Sequence, residues 1–262
     1  MTAVPREWLA SLGEIGRFCG RVLGLVYSGR VVTFMGEALR QAGILILGSA
    51  LVIWGLTFIL GLQCGIEGAY FSRSVGAPSN AGVFAAWCDL REVIPYAFGY
   101  MMAAKVGTGI VAEIGAMRIS DEIDALEVMG VNPMIFLCAT RLLAGWITLP
   151  FIYLVGIGAG YLASYLAVVE QVGEVSAGGY FLIFWMFQNP PDLIFSLIKG
   201  MFMATAIVLV GCYYGYTASG GPVGVGRATA KSMVLNIVLV HVIGMMGTLV
   251  FWGANPRAPI GG

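Results

Sequence analysis

Apolar residues run along this chain in long charge-poor blocks, separated by short stretches that gather the polar and charged positions. Residues 42–62, 93–112, 141–169, 193–216 and 232–252 each supply the roughly 20 apolar residues that a helix needs to cross a bilayer. They predict five transmembrane helices. Ahead of them, residues 7–28 alternate Trp8, Leu9, Leu12, Ile15, Phe18, Val22 and Leu25 with Glu14, Arg17 and Arg21. That spacing predicts an amphipathic helix lying in the membrane interface. The organisation expected is an N-terminal interfacial region, 1–41, followed by a five-helix membrane domain, 42–262.

The connections differ in character. Residues 61–89 carry Glu67, Arg73, Gly76, Pro78 and Asn80, which predict a loop. Residues 170–192 hold the apolar piece YFLIFWMFQ, too short to span and aromatic enough for the headgroup region, so a loop with an interfacial helix is expected. TASGGPVGVGR reads as a glycine-rich loop. It lacks the Walker A order, because Ala230 and not Gly precedes Lys231-Ser232 and no strand leads into it. Nucleotide binding by this chain is therefore rejected.

Composition agrees with a membrane protein: 59% of residues are hydrophobic and 11% charged, with 14 basic and 14 acidic residues in balance. Zero net charge gives no reason to expect a nucleic-acid partner. Placing the N-terminus inside puts Arg6, Arg17, Arg21, Arg30, Arg40, Arg118, Arg141, Arg227 and Lys231 on the cytoplasmic side, and Arg73, Arg91 and Arg257 outside. No cleavable signal peptide is expected from the Arg-bearing first 30 residues. The five cysteines form no CxxC and no Cys/His cluster, so no metal site is expected. Cys64 and Cys88 flank one external connection and are the pair to watch for a disulfide.

One stretch breaks the apolar rule. AEIGAMRISDEIDALEVMGVNP, residues 112–133, holds Glu113, Asp121, Glu122, Asp124 and Glu127 among the chain's 14 acids. Ser120 is the expected N-cap, acids fill the first turn, and Gly130 with Asn132-Pro133 supplies the stop. Asp121, Asp124 and Glu127 fall on one side, and Ile123, Leu126 and Met129 on the other. A helix of about ten residues is only about 15 Å long, so it lies outside the membrane. It is either a solvated loop helix or a docking helix for a soluble partner.

Within the spans, Lys105 and Lys199 are costly in lipid. Each either snorkels, pairs with neighbouring groups, or attracts an anionic lipid in a cavity. His241 stands alone in the fifth span and reads as a packed or hydrogen-bonding histidine. No catalytic constellation is present in the pattern.

The 112–133 stretch closely resembles the signature of the MlaE/YrbE permeases, membrane subunits of MCE-linked ABC lipid transporters. Agreement extends to IPYAFGYMMAAKVGTGIVAEIG before it, FLCATRLLAG after it, and KGMFMATAIVLVGCYYGYTASGGPVGVGRAT further on. GGPVGVG and the FWGANPRAPIGG tail look like the B-type partner of the actinobacterial YrbE branch. The resemblance implies an all-α integral membrane fold with an interfacial helix and five spans. It also implies a second, A-type permease, a cytosolic ATPase dimer that binds ATP and Mg, and MCE proteins outside. The substrate it implies is a fatty acid, mycolic-type lipid or sterol, moved inward. The family's coupling helix corresponds to the segment around Ser120, Asp121, Glu122, Asp124, Leu126, Glu127 and Met129. Relatives often carry Arg where this chain has Lys105, so a role that depends on a guanidinium fork is not carried over.

Two other functions compete. A proton-driven carrier would need carboxylates inside its spans, and the predicted spans contain none. A purely structural anchor for the MCE assembly differs from a transporter only in ATP-dependent lipid movement.

Overall fold

In the computed structural model, residues 3–254 are described, with side chains from residue 10 onward. The side chains of Arg6, Trp8 and Leu9, and the tail bearing Arg257, lie outside that set. The described residues are helical throughout their regular structure, with no strand among them. In chain order the helices are α1, Ala3–Tyr27; α2, Met35–Ser74; α3, residues 82–119; α4, Glu122–Val128; α5, Met134–Val172; α6, Ala177–Phe187; α7, Pro190–Tyr216; and α8, Gly221–Trp252.

Four helical stretches, Arg30–Ser74, Met134–Val172, Pro190–Tyr216 and Gly221–Trp252, are long and apolar enough to cross a membrane. The other predicted span, 93–112, lies in α3. This helix is interrupted by π turns at Ala85–Val93 and Met102–Gly107, the wider turn that an inserted residue produces. The protein is thus an all-α, multi-pass membrane protein.

The chain forms two compact units. One comprises Met1–Leu47, Met102–Thr148 and Ala204–Leu239. Here α1 buries Phe18, Val22 and Val26 at helical spacing. Phe18 packs against Tyr213 and Tyr216 of α7 with ring centroids 5.6 and 5.9 Å apart. From α3, Val111 and Ile114 are fully buried. Gly211 faces the Gly107 carbonyl, and a Cβ on it would lie 3.1 Å from that oxygen. Cys138 lies against Cys212 with Cys19 nearby, a convergence of thiols from separate helices that linear spacing hid.

The other unit comprises Gly48–Met101, Leu149–Met203 and Val240–Gly262. The loop expected at 61–89 is helical as far as Ser74. Gly76 does turn the chain, at φ 75°, whereas Gly61, Gly65 and Gly68 are contact points. A Cβ on Gly61 would stand 2.7 Å from the Gly160 Cα of α5, so the two backbones touch, as the Gly156-x-x-x-Gly160 spacing predicts. Ser176 caps α6, its hydroxyl accepting the Gly179 N–H at 3.2 Å, and Tyr180, Phe184 and Phe187 are buried from the expected interfacial helix. Cys64 and Cys88 are both free thiols facing one another.

Several polar side chains inside this unit are paired, although both Asp89 carboxylate oxygens and the Ser164 and Tyr180 hydroxyls are buried without a hydrogen-bond partner. Arg91 meets Asp192 at 2.6 Å, and Trp252 Nε1 donates to the other Asp192 oxygen at 2.9 Å. Tyr153 and Ser196 share a hydrogen bond of 2.6 Å, and Ser196 donates to the Leu90 carbonyl at 2.5 Å. Buried polar groups without partners would each cost about 1–3 kcal/mol, which explains this pairing. Carboxylates do therefore sit among the helices: Asp89 is fully buried in α3 against the Cys64 thiol and the Ser164 hydroxyl.

Candidate coupling surface

The acidic stretch folds as a corner between α3 and α5. Ser120 is not the cap expected of it: its hydroxyl donates back to the Ala116 carbonyl at 3.0 Å and lies 2.9 Å from the Glu122 carboxylate. The N-cap position belongs to Asp121, which takes the left-handed conformation at φ 58°. Asp is among the few L residues that tolerate this region, so the reversal needs no glycine. The Asp121 carbonyl then accepts the first helical bond, from the Ala125 N–H at 3.0 Å.

The stop falls where the sequence placed it. Gly130 adopts φ 78°, its N–H bonds the Glu127 carbonyl at 2.9 Å, and the Val131 N–H bonds the Leu126 carbonyl at 3.0 Å. These paired bonds close the helix as a Schellman motif. Asn132 then caps α5, its Oδ1 accepting from the N–H groups of Met134 at 3.0 Å and Ile135 at 3.2 Å. The outgoing and returning helices are tied by Arg141, which meets Glu113 at 2.6 Å and donates to the Leu137 carbonyl at 2.7 Å. Arg118 reaches from α3 to Asp124 of α4 at 2.7 Å.

Burial divides the apolar side in a way the helical wheel does not. Ile123 is 0% exposed and anchors α4 to its own unit. Leu126 is half-buried, so it serves inward packing as much as any outward contact. The outward apolar edge is Val128, 89% exposed, with Met129, 68% exposed. Val128 was not assigned a role by sequence pattern, because a wheel gives angular position without saying how far the helix sinks into its neighbours. Asp121, Glu122, Asp124 and Glu127 are all exposed around that edge. Behind it lies a cavity of 630 Å³ lined by Arg21 and Leu25 of α1, Glu127, Val131 and Tyr216 of α7.

The two lysines are not alike. Lys105 is exposed and has no ion-pair partner among the described residues. Lys199 is 1% exposed, and its ammonium donates to the Glu92 carboxylate, the Arg91 carbonyl and the Thr248 hydroxyl, each at 2.8 Å. An ammonium has three donors, and all three are taken. Glu92, the partner, lies one residue before the predicted span. The two lysines belong to different units. His241 shares a 3.0 Å hydrogen bond with Tyr100. Among the described residues no group of three or more His, Cys, Asp or Glu is placed to hold a metal ion.

Residues 38–250 match the family described as Permease MlaE. A probable ABC transporter permease of Rickettsia conorii is 28% identical over 219 residues, 84% of each chain. The Haemophilus influenzae intermembrane phospholipid transport system permease MlaE is 26% identical, over 82% of this chain and 83% of its own. The chloroplastic protein TRIGALACTOSYLDIACYLGLYCEROL 1 of Arabidopsis thaliana is 27% identical, over 82% of this chain and 59% of its own. Given a family match that spans most of an all-helical, multi-pass chain, this protein belongs to the MlaE permease family.

Proposed function

We propose that this chain is the membrane subunit of an ABC-type lipid transporter and that the α3–α4–α5 corner is where a separate cytosolic ATPase takes hold. Family membership and the printed names of its relatives support the transporter class. The observation that carries the coupling role is the corner's geometry: an exposed Val128–Met129 edge, ringed by carboxylates, on a seven-residue helix pinned by a fully buried Ile123. A pinned lever transmits displacement, whereas a loose loop would absorb it. Apolar anchors at the centre of an interface cost about 2 kcal/mol or more when lost, and rim charges less.

In this reading ATP and Mg bind to the ATPase and not to this chain, and the excess of basic residues places the N-terminus and the corner in the cytoplasm. A second permease subunit, of A type, and external MCE proteins complete the assembly, and the cargo is a lipid moved inward. The test is ATP-dependent lipid transfer by the reconstituted complex. Val128→Asp should reduce transfer at least tenfold with the complex still folded and the ATPase still hydrolysing ATP. Undiminished transfer by that variant would overturn the coupling assignment.

A further inference from the structure

The first unit contains a cleft that the coupling role does not use. A cavity of 540 Å³ lies between α1 and the start of α8, and its described lining holds Tyr213, Thr217, Ser219, Arg227 and Lys231 with no carboxylate. A second cavity, also 540 Å³, adjoins it and shares Ser11, Ile15, Tyr214 and Lys231. This second part is walled by Leu12 of α1 and by Val234, Leu235 and Val238 of α8. Arg227, Lys231, Val234 and Val238 follow one another at i, i+4, i+7 and i+11, so a single face of α8 passes from basic to apolar. The glycine-rich stretch read as a loop is helical from Gly221 onward, which is what gives Arg227 and Lys231 this register.

Neither Arg227 nor Lys231 has an ion-pair partner among the described residues, and both are exposed. Glu14 of α1 faces the Tyr213 hydroxyl beside the cavity, leaving two cations against one anion among the described residues. The apolar part opens sideways: Leu12 is 44% exposed, Val234 66% and Val238 52%. From Arg227 to Val238 the cleft runs about 16 Å along the helix, close to half of the roughly 30 Å hydrocarbon core, which is the depth of one leaflet.

We propose that the cleft between α1 and α8 holds an anionic phospholipid from the leaflet facing the start of α8, its phosphate between Arg227 and Lys231 and an acyl chain along Leu12, Leu235 and Val238. Charge complementarity selects the headgroup, and the lateral opening admits the chain from the bilayer. The bound lipid clamps the amphipathic α1 to α8. This site does not depend on the coupling role of the α4 corner.

Native mass spectrometry of the full chain in its purified membrane assembly tests it, with phosphatidylglycerol and phosphatidylcholine of identical chains as probes. Phosphatidylglycerol should be retained at least fivefold more than phosphatidylcholine. Arg227→Gln/Lys231→Gln should abolish that preference, Val238→Trp should lower retention of both lipids, and Arg30→Gln, a change at an exposed arginine that does not line the cleft, should alter neither. Equal retention of the two lipids, a preference surviving in the double variant, or full displacement by millimolar inorganic phosphate would overturn the lipid site. So would a preference that emerges only when the ATPase is stripped from the assembly, which would mark the face as a protein contact.

Discussion

Lys199 Nζ lies 2.8 Å from Glu92 Oε2, and the Thr248 hydroxyl donates to the other Glu92 oxygen at 2.6 Å. The lysine side chain is 0% exposed and the glutamate side chain 38%, so the two ends of this pair respond differently to mutation. Glu92→Gln strands a buried ammonium with only neutral partners and should cost about 1–3 kcal/mol, because water reaching the glutamate side relieves part of the full penalty. Lys199→Met leaves a carboxylate that water and Thr248 still solvate, and should cost less. Thermal unfolding in detergent checks the order. Lipid transfer should survive Lys199→Met, since the ammonium has no donor left for a headgroup; its loss in a folded variant would restore the lysine to a cargo role.

At the corner, stability and coupling should separate by residue. Ile123→Ala removes a fully buried anchor and should destabilise by about 2–5 kcal/mol. Asp124→Ala breaks an ion pair whose side chains are 39% and 59% exposed, and should change stability by no more than about 1 kcal/mol. Leu126→Asp, at a half-buried position, should damage both folding and transport. Unfolding curves beside transport assays distinguish these cases.

Asp121 turns the chain at φ 58° without glycine. Asp121→Gly should therefore be neutral or slightly stabilising, whereas Asp121→Val, β-branched in the left-handed region, should cost about 1–3 kcal/mol. Hydrogen exchange across α4 would report the loosening.

The contact between Gly61 and Gly160 leaves no room for a side chain, with backbone 2.7 Å from a Cβ on Gly61. Gly61→Leu should force α2 away from α5 and cost about 1–3 kcal/mol, with lowered yield of folded protein by size-exclusion chromatography.

Long-range pattern was legible and close contact was not. The charge-poor blocks located the four helices long and apolar enough to cross a membrane, and Gly130 with Asn132-Pro133 located the end of α4, because hydrocarbon thickness and left-handed φ impose strong local rules. Gly76 turns the chain as expected, but Glu67 and Arg73 lie in the last turns of α2, which runs on to Ser74, because charged residues at a helix end and in a loop look the same in one dimension. Ser120 misled for a related reason: its hydroxyl had a closer acceptor in the Ala116 carbonyl of the preceding turn. Lys199 was visible as an expensive residue, yet its partner Glu92 lies 107 positions away, a pairing that no periodicity encodes.

Photocrosslinking from a benzoylphenylalanine placed at Met129 in the assembled transporter tests the central claim most directly. The coupling assignment predicts a crosslink to the cytosolic ATPase subunit, lost when the same probe is moved to the exposed position Leu47, which lies in a predicted span. Crosslinks from Met129 to lipid, to an external protein or to nothing at all would contradict it.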